Sequence, residues 1–256
     1  MRFKNILYKE DDSSAEVALN RPEKMNALDD TLISEITQVF TELNGNKNVK
    51  CIILSGSGGN FCSGLDIAYL QKISGFDLNE NKLDSHRFKD MLLSIYNCSK
   101  PVVAKVSGYA LAGGCGIATC CDFIIADETA KFGYTEVKIG FIPAVVSIFL
   151  MKKVRETQAR DLLLTARVIN SDEALSMGLV NILVNQSELD SEVKKMCELI
   201  NKNSSNSISL TKELLRKIAT MGFETALEYA CDINTTTRMT EECRDGLAKF
   251  LSRKKP

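Results

Sequence analysis

Ser107-Gly108-Tyr109-Ala110-Leu111-Ala112-Gly113-Gly114-Cys115-Gly116-Ile117-Ala118 is the stretch whose reading decides the fold. It follows the β-forming run Val102-Val103-Ala104-Lys105-Val106 and precedes another, Phe123-Ile124-Ile125-Ala126. A strand, a glycine-rich turn and the start of a buried helix are expected. Glycines at such a turn let a ligand approach the main chain, and the first N–H groups of a helix point outward with the positive end of its dipole. The turn can therefore hold an anion without side chains. A second donor segment lies upstream, where Cys51-Ile52-Ile53-Leu54 runs into Gly56-Ser57-Gly58-Gly59-Asn60-Phe61-Cys62-Ser63-Gly64-Leu65-Asp66. If the two turns converge they make an oxyanion hole. Neither is a nucleotide motif: Gly56 to Gly59 is not followed by the Lys and Ser/Thr of a P-loop, and Gly108 to Gly116 lacks dinucleotide spacing.

The 256 residues, 45% of them apolar, fit one large domain or a domain with a small appendage. A net charge of −1, with basic residues scattered except at Arg253-Lys254-Lys255, leaves no footprint for nucleic acid. The nine cysteines form no CxxC pair and suit a reducing compartment. Cys115, Cys120 and Cys121 have no histidine partner in the motif, so no metal is expected. Without a leader-like N-terminus or a membrane-length apolar run, a cytoplasmic protein with no membrane partner is expected.

Strand-like segments at Asn5 to Lys9, Glu16 to Leu19, Cys51 to Ser55, Val102 to Val106 and Phe123 to Ala126 alternate with helical patterns, which is an α/β layout. Asp29 or Asp30 caps a helix with Leu32, Ile33, Ile36, Val39, Phe40 and Leu43 on one face. A second amphipathic helix carries Phe88, Met91, Leu92, Ile95 and Tyr96. Between them Gln71 to Ser85 reads as a mobile lid or loop. After about Val146 the strands are expected to stop. Helices are expected at Lys153 to Leu164, Ser171 to Met177, Leu189 to Asn201, Ser209 to Met221 and Phe223 to Leu251. Residues 1–195 then form the core, and 196–256 a helical region packed on it or on a neighbouring subunit.

The ordered set Asn20-Arg21-Pro22-Glu23-Lys24-Met25-Asn26-Ala27-Leu28, Phe61-Cys62-Ser63-Gly64-Leu65-Asp66, Pro101 to Asp122, Phe132-Gly133-Tyr134-Thr135-Glu136-Val137-Lys138-Ile139-Gly140-Phe141-Ile142-Pro143 and Leu164-Thr165-Ala166 resembles the crotonase superfamily, the enoyl-CoA hydratase and isomerase group. The resemblance implies a spiral of ββα units followed by helices that build a homotrimer or a dimer of trimers. It implies an acyl-CoA thioester as substrate, with coenzyme A as part of that substrate and no separate cofactor. It assigns the oxyanion donors to the N–H groups of Ser63 and Gly113. It also places Lys24, Met25, Asn26, Ala27, Gly64, Leu65, Asp66, Ile67, Tyr109, Gly114, Thr135, Pro143 and Phe250 along the ligand, with Phe250 and the tail lysines reaching it from a neighbouring subunit.

The same resemblance puts Glu136 beside the reacting carbons as the proton carrier. Apolar neighbours Val137, Ile139 and Phe141 imply burial, which raises a carboxyl pKa towards neutrality and suits a group that both takes and gives a proton. Typical hydratases carry a second glutamate where this chain has Gly116. The sequence from Thr135 to Val146 is more similar to bacterial methylglutaconyl-CoA hydratase-like members, which act on branched acyl groups. Hydration of a 2-enoyl-CoA is the leading expectation. A double-bond isomerase using Glu136 alone, an acyl-CoA decarboxylase and a non-catalytic CoA-binding protein are the rivals. Asp66 either braces its turn or replaces the missing acid, and Lys138 is either a surface charge or a contact to a substrate carboxylate. His86, the single histidine, reads as a solvated helix-start residue.

Overall fold

The computed structural model describes residues 2–11 and 13–252; Arg253, Lys254 and Lys255 lie outside the described residues. Strands β1 (Ile6–Asp11) and β2 (Ser14–Leu19) pair antiparallel, and α1 (Asp30–Gly45) leads to β3 (Cys51–Gly56). Helices α2 (Ile67–Ile73) and α3 (Leu78–Tyr96) precede β4 (Val102–Val106), β5 (Tyr109–Leu111) and α4 (Gly113–Cys120). Then come β6 (Phe123–Asp127), β7 (Lys131–Gly133), α5 (Ala144–Leu150), α6 (Glu156–Thr165), β8 (Ile169–Asn170), α7 (Ser171–Ser176) and β9 (Ile182–Val184). Helices α8 (Leu189–Asn201), α9 (Ser205–Ile218), α10 (Phe223–Arg238) and α11 (Glu241–Ser252) complete the described chain.

A six-stranded sheet runs β1-β2-β3-β4-β6-β9, and a three-stranded sheet runs β5-β7-β8. The parallel pairs β4 with β6 and β5 with β7 show one winding step repeated: a strand in the large sheet, a strand in the small sheet, then helix. The preceding turn does the same, since Cys62 bridges Ala110 in parallel after β3. This is a spiral of ββα units.

Both faces of the large sheet are covered, which is why its central strands read as nearly unbroken apolar runs. Ile52, Leu54, Val102, Ala104 and Ile124 face the main core with α1 and α3. Cys51, Val103 and Ile125 face the opposite side, where α8 lays down Leu189, Val193, Cys197 and Ile200. The 195/196 division therefore falls inside a helix that packs on the sheet. Beyond it, none of the described residues of α9, α10 or α11 is buried.

Several sequence expectations are corrected. The supposed loop from Gln71 to Ser85 is largely helix, because Asp77 and Glu80 form a reciprocal capping box that starts α3 at Leu78. His86 consequently sits within α3, exposed, and not at a helix start. Strands do not stop at Val146, since β8 and β9 each close one sheet. The expected long helix from Phe223 breaks at Met239 and Thr240.

One polar residue organises the turn before α1. Asn26 is fully buried with φ 56°, a left-handed conformation that asparagine tolerates better than most residues. Its side chain accepts from the Arg21 N–H at 2.8 Å and donates to the Ser57 and Asn60 carbonyls at 2.8 and 2.7 Å. Asn26→Ala leaves those groups unpaired, and a destabilisation of about 2–3 kcal/mol is expected in denaturant unfolding.

Candidate active site

The site is assembled where the Ser63 turn meets the start of α4. The Cys62 N–H donates to the Tyr109 carbonyl and the Leu111 N–H to the Cys62 carbonyl, both at 2.9 Å. At Gly114 any side chain is forbidden, because a Cβ would lie 2.1 Å from the Cys62 carbonyl oxygen. Glycine thus lets the helix start press against the upstream turn. Ala112, with φ 48° and ψ −123°, reverses the chain between β5 and α4 while its N–H donates to the Gly133 carbonyl at 2.7 Å. A backbone held in so unusual a conformation costs about 1–3 kcal/mol and persists where the surroundings impose it. Its effect here is to start α4 at Gly113, whose N–H meets no acceptor among the described residues.

On the upstream turn the amide left without an acceptor among the described residues is not the expected one. Ser63 lines the cavity, but its N–H donates to the Met25 carbonyl at 3.1 Å. Two residues on, the Leu65 N–H has no acceptor among the described residues, although Leu65 also lines the cavity. Gly64, with φ 98°, provides the bend, and a Cβ there would stand 3.7 Å from the Gly113 nitrogen. The available amides at the junction are those of Leu65 and Gly113. The bond to Met25 occupies Ser63 because this turn runs alongside the chain before α1, where Leu28 and Leu65 form a parallel bridge.

Glu136 begins a short 3-10 turn, Glu136–Ile139, closed by Gly140 at φ 77°. Behind it Tyr134 is fully buried, its hydroxyl 2.7 Å from Thr119 Oγ1, which in turn donates to the Cys115 carbonyl. Glu136 Oε2 is buried with no hydrogen-bond partner among the described residues. Burial raises its pKa above the ordinary 4.5, only partly opposed by its own backbone N–H.

These groups border a cavity of about 560 Å³ whose wall includes Ser63, Leu65, Gly113, Thr135, Glu136, Lys138 and Pro143. Asn81, Asp84, Ser85 and Phe88, on one face of α3, line the same cavity. The place above Gly116 is filled: a Cβ at Gly116 would fall 2.2 Å from Val146 Cγ1 of α5.

A family model described as enoyl-CoA hydratase/isomerase matches residues 9–256. The chain belongs to that family. A crotonyl-CoA hydratase of Syntrophomonas wolfei is 35% identical over 100% of this chain and 98% of its own. A short-chain-enoyl-CoA hydratase of Clostridium acetobutylicum is 31% identical over 100% of this chain and 97% of its own. Among solved structures, an enoyl-CoA hydratase from Shewanella pealeana superposes with a TM-score of 0.95 at 26% identity, covering 100% of this chain and 96% of that one. The ββα spiral is the crotonase fold.

Within this family frame, the remaining expected site residues divide clearly. Asp66 is a brace: it caps α2 through the Ala68 N–H at 2.8 Å and pairs with Arg21 at 2.8 Å. Burial alone would raise its pKa, but the Ala68 N–H and the Arg21 guanidinium outweigh that and hold it below the usual carboxylate range. Asn26, Ala27 and Gly114 are buried, and Lys24, Met25, Ile67, Tyr109 and Phe250 are exposed; none of these lines the cavity. The sequence reading missed the α3 wall and Val146. The Asp77-Leu78-Asn79-Glu80 capping signature was the signal that would have revealed that wall.

The raised Glu136 pKa has a stability consequence. Its contribution is fully present below the unfolded value of about 4.5 and is lost as pH rises through the raised folded value. Glu136→Gln should match the wild type in thermal melts near pH 4. Above the folded pKa it should melt higher than the wild type.

Proposed function

We propose that this protein adds water across the double bond of a 2-enoyl-CoA, with Glu136 as the proton carrier. The observation that carries the proposal is a buried carboxyl without a hydrogen-bond partner in the same cavity as two amides without acceptors, all among the described residues. The thioester oxygen would accept from the Leu65 and Gly113 N–H groups, whose attraction grows as the carbonyl becomes an enolate. Glu136 in its acid form would then give its proton to the α-carbon, and its raised pKa favours that form. The names of the relatives support hydration. The run Gly140-Phe141-Ile142-Pro143-Ala144-Val145-Val146 supports a branched, methylglutaconyl-like acyl group. The exposed apolar residues Leu215, Phe223, Leu227 and Leu247 on α9 to α11 support assembly as a homotrimer or a dimer of trimers. Cysteine usage supports the cytoplasm.

A second reading is favoured by one observation, the packing of Val146 over Gly116. With no carboxyl there to activate water, Glu136 alone could take a proton from the α-carbon of a 3-enoyl-CoA and return it at the γ-carbon. That shift isomerises the double bond without water.

Incubation with crotonyl-CoA is expected to give a product heavier by one water, and Glu136→Gln to lose about 10²–10⁴-fold in turnover while still binding CoA. Isomerisation of a 3-enoyl-CoA at constant mass, with no hydration of any 2-enoyl-CoA, would replace the first reading with the second.

A further inference from the structure

We infer that Asp84 is the second acid–base group of the site, holding and deprotonating the attacking water in the cavity it shares with Glu136; the inference rests on the hydratase reading above. Hydration needs a proton acceptor for the water, and Val146 fills the space over Gly116. Among the described residues lining the cavity, Asp84 and Glu136 are the only two carboxylic acids. Asp84 comes from α3, where Asn81, Asp84, Ser85 and Phe88 recur at helical spacing on one face turned to the cavity.

Phe88 fixes the register of that face against the reacting end of the ligand. A Cβ at Gly113 would lie 3.2 Å from Phe88 Cζ, so the ring packs beside the amide that would hold the thioester oxygen. Asp84 precedes Phe88 by four residues, which sets it about 6 Å further along the helix axis. Asp84 therefore shares the cavity with the Gly113 amide, one helical turn from the Phe88 ring, and the inference places one water between its carboxylate and the β-carbon of the bound acyl chain. The Tyr69 hydroxyl, on a nearly buried ring, donates to Asp84 Oδ1. Oδ2 remains for the water, and no cation pairs with Asp84 among the described residues.

The step balances without another reactant. The water oxygen bonds to the β-carbon and gives one proton to the Asp84 carboxylate. The π-electron pair moves into the thioester enolate held by the Leu65 and Gly113 amides, and the Glu136 acid gives its proton to the α-carbon. The sum is addition of one water. Proton return from Asp84 to Glu136 through solvent resets the pair.

The test uses two reactions of the full chain: hydration of crotonyl-CoA, and exchange of the α-proton of butyryl-CoA in deuterium oxide, which needs Glu136 and the amides but no added water. Asp84→Asn should lower hydration by about 10²-fold or more and leave exchange within about threefold of wild type. Asp84→Glu should recover part of the hydration, and Glu136→Gln should lose both reactions. Hydration by Asp84→Asn within about threefold of wild type, or hydration and exchange falling together, overturns the inference. A wild type that exchanges but never hydrates also overturns it, in favour of isomerisation. A wild type that does neither overturns the proposed function itself.

Discussion

Everything at the site hangs on the contact between the start of α4 and the Cys62 carbonyl. Only hydrogen fits at the Gly114 α-carbon there, and the flanking bonds from Cys62 to Tyr109 and from Leu111 to Cys62 lock the two turns in register. That register brings the Gly64 bend, next to the Leu65 amide, against the Gly113 nitrogen. A side chain at Gly114 would wedge the turns apart, although each is also held from its own side, the upstream turn by the Leu28–Leu65 bridge and the start of α4 by the Ala112 to Gly133 bond. The unusual backbone of Ala112 belongs to the same device, because it turns the chain sharply enough for a helix to begin where β5 ends.

Burial does the complementary work at Glu136. A carboxyl with one oxygen out of water and unpaired among the described residues favours its neutral form, which is a cost to the fold at neutral pH and suits the proton delivery proposed for it. Asp66 shows the opposite arrangement within the same chain. It is more buried overall, yet the Ala68 N–H and Arg21 keep it charged, and it serves as a brace. Two carboxyls thus acquire different roles from their partners alone.

Much of this was legible in sequence. The alternation of apolar runs and glycine turns marks the central strands, and the spacing of Leu32, Ile36, Phe40 and Leu43 marks α1. Gly113 and Glu136 stand out as site residues, and both line the cavity. What escaped was set by long-range geometry. Which amide of the Ser63-Gly64-Leu65 turn is available depends on the Met25 carbonyl, thirty-eight residues upstream in the chain and adjacent only after folding. The two-residue and three-residue strands β8 and β9 carry too little periodicity to announce themselves, and exist because the sheet edges of β7 and β6 receive them. The α3 wall was missed because a polar, exposed first turn masks a helix unless its caps are read.

Val146 and Gly116 are separated by thirty positions yet occupy one volume. A carboxylate introduced at Gly116 would meet the valine methyl, and a smaller residue at Val146 alone would leave a void against a bare helix. A carboxylate at position 116 therefore requires a change at position 146 as well, because α4 and α5 pack too closely for either to vary alone. The pair thus ties which side chains can enter the site from α4 to how tightly α5 closes over it.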